Sequence, residues 1–173
     1  MRPSRQPSQQ EARAKRPRYT MLPDSLRDNS TAAALADLAT TGKVEFGELT
    51  IEVAPSNIVE ALTRARTTLG FDRLSTVTGV DRFPAEPRYE VVYHLQSVHT
   101  KERIRFKARV HSDNPQIESA CPVFRAANWY EREVFDFFGI RFLNHPDLKR
   151  IMMPDEFEGH PLRKDFPVTG MRY

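Results

Sequence analysis

Between Val44 and Val53 apolar and polar residues alternate with a period of two, the mark of a half-buried strand. Val44, Phe46, Leu49, Ile51 and Val53 are the candidate buried positions. The phase slips around Gly47, which predicts a turn or bulge there. Upstream, Asn29-Ser30-Thr31 offers an N-cap to an alanine-rich helix over Ala32 to Thr40, closed near Gly42. Its only large apolar residues are Leu35 and Leu38, so it reads as a light surface helix. Downstream the period changes to that of a helix. Ile58, Ala61, Leu62, Ala65 and Leu69 form a stripe, and Thr63, Arg64, Arg66 and Thr67 fall on the water side. This predicts a helix from Asn57 to Leu69, with Asn57 and Glu60 in a capping arrangement and Gly70 at C′.

Leu74 to Val80 reads as a strand, and prolines at 84 and 87 bound the loop after it. Arg88 to Gln96 and Arg103 to Val110 then read as a hairpin. In the second strand Ile104, Phe106, Ala108 and Val110 alternate with Arg103, Arg105, Lys107 and Arg109. Four cations on one strand face suit a nucleic-acid platform, but Arg88, Glu90, Val92, His94 and Gln96 opposite supply none of the stacking aromatics such platforms use. A solvated sheet face accounts for the pattern better.

Pro122 suits the first turn of a helix running to Phe138. Val123, Ala127, Tyr130, Val134 and Phe138 share one side, which Phe124, Trp129, Phe135 and Phe137 widen. Only a narrow strip of Arg125, Asn128, Arg132 and Asp136 stays polar, with Arg132 and Asp136 at pairing distance i, i+4. So broad an apolar arc implies contacts on two sides. Gly139 stops the helix in a left-handed cap. Beyond it Pro146, Pro154, Pro161 and Pro167 forbid a regular helix or a central strand. Yet Phe142, Leu148, Ile151, Met152, Met153, Phe157, Leu162 and Phe166 punctuate the stretch, which no disordered linker does. Extended chain with spaced apolar anchors points to burial against another chain.

The element order predicts an α+β fold: a mixed or antiparallel sheet with helices packed on one face, then an extended, largely irregular C-terminal segment. The divisions are a basic tail over 1–20, an α+β domain over 21–138 and a docking extension over 139–173.

Composition narrows the function. No glycine arrangement forms a phosphate loop, and a single cysteine, Cys121, excludes an internal disulfide or a cluster held by this chain's own thiolates. No apolar run approaches the roughly 18 residues of a membrane span. The formal charge of +3 belongs to the tail: residues 1–20 hold six basic side chains against Glu11, a net +5, and the remaining 20 basic and 22 acidic side chains leave −2. Such an arm suits nucleic acid or an anionic surface, a targeting role, or a solvated arm or peptide laid over a neighbouring subunit.

Glu131, Glu133, Asp136, His145, Asp147 and His160 are of the types that build metal or acid–base sites. Their spacing matches none: Glu131 and Glu133 diverge on a helix, and the histidines have no i, i+4 relation. Interface chemistry fits better: charge-assisted hydrogen bonds from Arg150, Arg163 and Lys164 to a partner, with Asp147 and Asp165 closing turns or pairing locally.

The run Glu131-Arg132-Glu133, Asp136, Gly139-Ile140, His145-Pro146-Asp147-Leu148, Arg150-Ile151 and Gly159-His160-Pro161-Leu162-Arg163-Lys164-Asp165-Phe166-Pro167 resembles the signature of the thirty-kilodalton subunit family of respiratory complex I. Asn128-Trp129 and Val80-Asp81 are similar too; the first 20 residues are not. The resemblance implies a peripheral-arm subunit of a proton-translocating NADH:quinone oxidoreductase, with no catalytic residue, metal or cofactor of its own. FMN, iron–sulfur clusters and quinone are then held by partner subunits. It implies docking on the large quinone-site subunit and iron–sulfur subunits through Glu131, Arg132, Glu133, Asp136, Gly139, His145, Pro146, Asp147, Arg150, Gly159, Pro161, Arg163, Lys164 and Asp165. Membrane association is through partners, on the cytoplasmic side of a bacterial inner membrane or the matrix side of a mitochondrial one. Related ferredoxin-linked dehydrogenases and membrane-bound hydrogenases use similar subunits. A nucleic-acid module and a metal-dependent hydrolase around His145 and His160 are the competing classes.

Overall fold

A computed structural model describes Leu26, residues 29–167 and Thr169; the basic tail lies outside the described residues. Helix α1 (Ser30–Ala34) leads into strands β1 (Ala39–Glu45) and β2 (Glu48–Val53), helix α2 (Ile58–Thr67), and strands β3 (Arg73–Asp81), β4 (Tyr89–Gln96) and β5 (Arg103–Val110). Short strand β6 (Gln116–Glu118), helix α3 (Ala127–Phe138) and strand β7 (Arg141–Leu143) follow.

The sheet order is β1-β2-β5-β4-β3. Every pairing is antiparallel except β2 with β5, and that parallel step is what the α2 crossover makes possible. The sheet is mixed and its apolar face carries the helices, giving an α+β architecture. Register explains the core. Ile51 pairs with Phe106, and Phe106 with Tyr93, so one face is apolar across three strands. Ile58, Ala61, Leu62 and Ala65 of α2 and Val134 and Phe138 of α3 close over it. Gly79 of β3 lets α3 approach: a Cβ there would sit 2.7 Å from the Phe138 ring.

Several expectations change. The first helix is five residues long, not nine. Asn29 does cap it, accepting from the Ala32 N–H at 3.0 Å, but Ala39 already pairs with Val53 in the ladder. The Val44–Val53 run is a hairpin whose turn, Phe46-Gly47, has φ of 52° and 78°. Leu49, Ile51 and Val53 are buried, whereas Val44 is half exposed and Phe46 fully exposed, because β1 is an edge strand and Phe46 is its turn. Asn57 makes no side-chain cap, and Glu60 pairs with Arg64 instead.

The last helix begins at Ala127, after a looped turn over residues 121–126, not near Pro122. Within the helix its polar strip is covered: Asp136 is fully buried, Arg132 is 7% exposed and Asn128 is half-buried, with Glu131 beside them fully buried too, while Arg125 lies ahead of the helix and is exposed. The domain also continues past Phe138. Gly139 takes the left-handed cap at φ 72°, and Ile140 and Phe142 enter the core as β7 pairs with β6.

Candidate functional site

The strap from Asn144 to Pro167 lies across the end of α3. It has no regular secondary structure, so its backbone groups need partners elsewhere. Asp136 supplies several. Its Oδ2 accepts the N–H groups of Ile151, Met152 and Met153 at 3.0, 2.8 and 3.0 Å, and its Oδ1 accepts Arg150 Nη1 at 2.9 Å. Burial works to raise the Asp136 pKa, but those three amides and the Arg150 charge outweigh it and hold it below the usual carboxylate value. Arg150 also donates to Gly159 O at 3.0 Å. Arg132 is not paired with Asp136; it donates to the carbonyls of Lys149 and Arg150 and lies over Trp129.

The exposed carbonyls at the C-terminus of α3 are covered by the strap. His160 Nδ1 lies 2.9 Å from Asp136 O, Arg163 Nε donates to Phe138 O at 2.7 Å, and Leu162 N donates to Phe137 O at 3.2 Å. Cations at this end suit the helix dipole. A Cβ on Gly139 would run into both the Arg163 guanidinium and the His160 ring.

A second anchor holds the end of the strap. Arg88 forks onto Asp81 (Nε–Oδ1 2.9 Å, Nη2–Oδ2 2.7 Å) and onto Asp165 (Nη1–Oδ2 2.9 Å, Nη2–Oδ1 2.7 Å). Lys164 N donates to Asp81 Oδ2 at 2.8 Å. The Arg88 bonds, with the Lys164 and Phe83 amides, hold the Asp81 carboxyl far below its ordinary range against the pull of burial. Alternation alone puts Arg88 on the water side of its strand; it is 8% exposed and lies over Phe83 and Tyr89.

Beneath the first turns of α3, Glu131 accepts Ser119 Oγ and Ala120 N, both at 2.6 Å. It thereby fixes the turn that launches the helix. Burial pushes its pKa up to about 7, against those hydrogen bonds. Cys121 Sγ, Glu131 and His145 lie within 4.8 Å of one another, the one such group of metal-type donors among the described residues. They do not fit an ion. His145 Nδ1 accepts from Asp147 N at 3.0 Å while Nε2 faces Asn128 O at 3.1 Å, so the ring is a neutral Nε2–H tautomer with both nitrogens engaged. Both Glu131 oxygens are engaged too, and burial pushes the Cys121 thiol up to about 11, away from a ligating thiolate.

Residues 51–172 match the family described as respiratory-chain NADH dehydrogenase, 30 Kd subunit. The chain belongs to this family.

Its relatives include an NADH-quinone oxidoreductase subunit from Citrifermentans bemidjiense, 48% identical over 124 residues, spanning 72% of this chain and 77% of that one. The corresponding subunit from Ruegeria pomeroyi is 43% identical over 153 residues, spanning 86% and 76%. Among solved structures, a chain of the archaeal membrane-bound sulfane sulfur reductase is similar with a TM-score of 0.68 and 30% identity, over 79% of this chain and 82% of that one. A trypsin-resistant fragment of Nqo5 is similar with a TM-score of 0.57 and 29% identity, over 61% and 86%.

In this member of the 30 kDa family the signature residues divide by role. Glu131 holds the turn that launches α3, and Arg132, Asp136, Gly139, His145, Arg150, Gly159, Arg163 and Asp165 join the strap to the chain's own domain or to itself. Arg150 and the Arg163 Nε–H, expected to bond to a partner, meet acceptors of their own chain: Asp136 and Gly159 O for Arg150, and Phe138 O of α3 for Arg163. Lys164 contributes its backbone N–H; its side chain is exposed. Glu133, Pro146 and Asp147 are exposed and Pro161 half-buried, Asp147 pairing with Lys149 at 2.9 Å. Alternation and helical spacing do not single out Ser119 or Arg88. Asp81 is marked only by its likeness to the family. No described helix is long and apolar enough to cross a membrane.

Proposed function

We propose that this chain is a non-redox structural subunit of the peripheral arm of a proton-translocating NADH:quinone oxidoreductase. It supports the quinone-site and iron–sulfur subunits while electrons pass between cofactors those subunits hold: FMN, iron–sulfur clusters and quinone. The observation that carries this reading is the strap. Its own domain binds the backbone N–H groups of Ile151, Met152, Met153, Leu162 and Lys164, yet among the described residues no apolar side chain after Phe142 is fully buried, and Met152 and Leu162 are 60% and 52% exposed. Phe157 and Phe166 stack on each other at 6.0 Å, both half-buried. Preformed backbone with outward apolar anchors is the arrangement an interface uses, because little ordering entropy remains to be lost on docking.

The partner is the large quinone-site subunit, and attachment to the cytoplasmic face of the membrane runs through that contact. Met152→Asp with Leu162→Asp, expressed in a strain lacking the native copy, tests this. Circular dichroism and Tm of the purified double variant are expected to match the parent, while co-purification with iron–sulfur partners and NADH:quinone activity of membranes are lost. Normal assembly of the variant refutes the docking role.

A second reading, the equivalent subunit of a related membrane complex with another electron donor, draws on the likeness to the archaeal sulfane sulfur reductase. Identities of 43–48% to NADH-quinone oxidoreductase subunits, against 30%, favour NADH. Mass spectrometry of co-purified chains separates the two readings.

A further inference from the structure

The second face of the sheet, opposite the helices, has its own chemistry. Register places Thr41, Lys43 and Glu45 of β1, Glu48, Thr50 and Glu52 of β2, and Arg103, Arg105, Lys107 and Arg109 of β5 on it, beside Glu90 of β4. Arg82 reaches over from the end of β3. At the centre Glu90 is fully buried and faces three cations: Lys107 Nζ at 2.8 Å, Arg82 Nη2 at 3.1 Å and Arg109 Nε at 3.5 Å. Glu52 takes a share of Arg109 at 3.2 Å, and Glu48 pairs with Arg105. Six Lys and Arg side chains, at 43, 82, 103, 105, 107 and 109, face four carboxylates at 45, 48, 52 and 90, an excess of two positive charges.

The excess is concentrated. Arg82, Lys107, Arg109 and Lys43 surround an open hollow of about 500 Å³ whose lining includes one carboxylate, Glu52. Among the described residues Arg82 makes a single ion pair and Arg109 pairs only through Nε, so several N–H donors of both guanidinium groups point to solvent. Their side chains are 46% and 43% exposed. Folding alone has no need of this arrangement. A buried carboxylate ringed by cations stabilises a domain no better than apolar residues of the same size. Glu90 instead gathers the three cations around one hollow and fixes their spacing.

We propose that this sheet face is a second docking surface, separate from the strap, which takes an acidic segment of a partner protein. Guanidinium forks bind carboxylates bidentately, and the fan around Glu90 presents two of them side by side. The chain's own N-terminal arm is excluded by sign, since it is basic. A nucleic acid is disfavoured by the carboxylates interleaved among the cations, which oppose a continuous polyanion, and by the lack of aromatic residues at the hollow. A protein segment with spaced Asp and Glu meets both the cations and the gaps between them.

Two measurements test this. The first rests on the proposed assembly: amine acetylation of Lys43 and Lys107, read by mass spectrometry, is expected to fall several-fold in the purified complex relative to the isolated chain. Carbodiimide is expected to link one of these lysines to an Asp or Glu of another chain. Equal labelling in both states without such a link overturns the docking surface and leaves the strap's role standing. The second stands without the assembly. The full isolated chain is expected to bind a fluorescein-labelled poly-glutamate peptide, with Kd rising about tenfold from low to physiological salt. Arg82→Gln with Arg109→Gln is expected to weaken that binding several-fold, with Lys107 left to neutralise Glu90, and the double Lys substitution to restore part of it. Tighter binding of duplex DNA or of anionic vesicles than of the peptide, or equal peptide binding by the Gln variant, overturns the proposal.

Discussion

The carboxylate of Asp136 and the guanidinium of Arg150 meet at 2.9 Å across 14 residues of chain, the first on the buried side of α3 and the second on the strap. The same carboxylate receives three successive strap amides, so one side chain does for irregular chain what a strand neighbour does for an edge. An irregular segment can therefore be ordered without a core of its own, provided such a buried acceptor exists.

Replacing Asp136 with Ala leaves Arg150, which is 16% exposed, without its partner and three amides without an acceptor. Breaking a buried pair from one side costs about 3–5 kcal/mol. The loss is expected to fall on the strap as a local opening, with the sheet intact. Trypsin is expected to cut the variant rapidly after Lys149 and Arg150 while far-UV dichroism changes little. Cleavage at the parental rate would falsify the tether.

Arg88 bridges two carboxylates of unequal exposure, Asp81 at 2% and Asp165 at 47%. Asp81→Asn is expected to cost about 3–5 kcal/mol, as removal of a buried partner, whereas Asp165→Asn costs at most about 1 kcal/mol. Both pKa values are depressed, so both contributions are present at neutral pH and are lost as pH falls below about 4, where the unfolded chain takes up protons first. Urea titrations of the two variants at neutral and acid pH read the ranking; a larger loss for Asp165→Asn contradicts it.

Periodicity revealed most of the fold. Strands β3 to β5 and helix α2 were legible because each turns a periodic apolar face to the core, although water does not take the other face of β4, where Glu90 and Val92 are buried as well. The left-handed cap at Gly139 was legible because few other residues adopt φ 72° at low cost. Arg132 and Asp136 misled, since a polar strip covered by polar chain has the same pattern as one covered by water. Phe46 misled because a turn residue belongs to neither phase of a hairpin. The Arg88–Asp165 contact spans 77 residues, and no local spacing encodes it. The family's charged, Gly and Pro positions were visible as a motif, but their partners within the chain were not.

Two glycines are expected to resist substitution for different reasons. Ala at 79 drives a methyl into the Phe138 ring, and overpacking of this kind costs about 1–3 kcal/mol. Ala at 139 forces a left-handed conformation, costing about 1–2 kcal/mol, and displaces Arg163 and His160 from the end of α3. The first is expected to lower Tm with the strap still protease-resistant. The second is expected to expose the strap as well. Identical proteolysis of the two variants would show that the strap does not depend on the Gly139 cradle.

Glu131 gives stability an unusual pH dependence. Its folded pKa, about 7, lies above the ordinary 4.5, so the folded chain holds this proton more tightly than the unfolded one. That contribution is complete below about pH 4.5 and is lost as pH rises through about 7, a change on the order of 3 kcal/mol. Asp81 and Asp136 act in the opposite sense, but at lower pH. His145 and His160 also titrate nearby, both depressed by burial. Comparison with Glu131→Gln removes these shared groups. Gln can still accept from Ala120 N and can donate to Ser119 Oγ, so the turn is kept while the titration is lost. The parent is expected to lose stability relative to the variant steadily from about pH 4.5 to above 7, as read by urea unfolding at each pH. Parallel curves for the two proteins would mean that Glu131 is ionised in the fold at neutral pH and that the Ser119–Cys121 turn stabilises its charge.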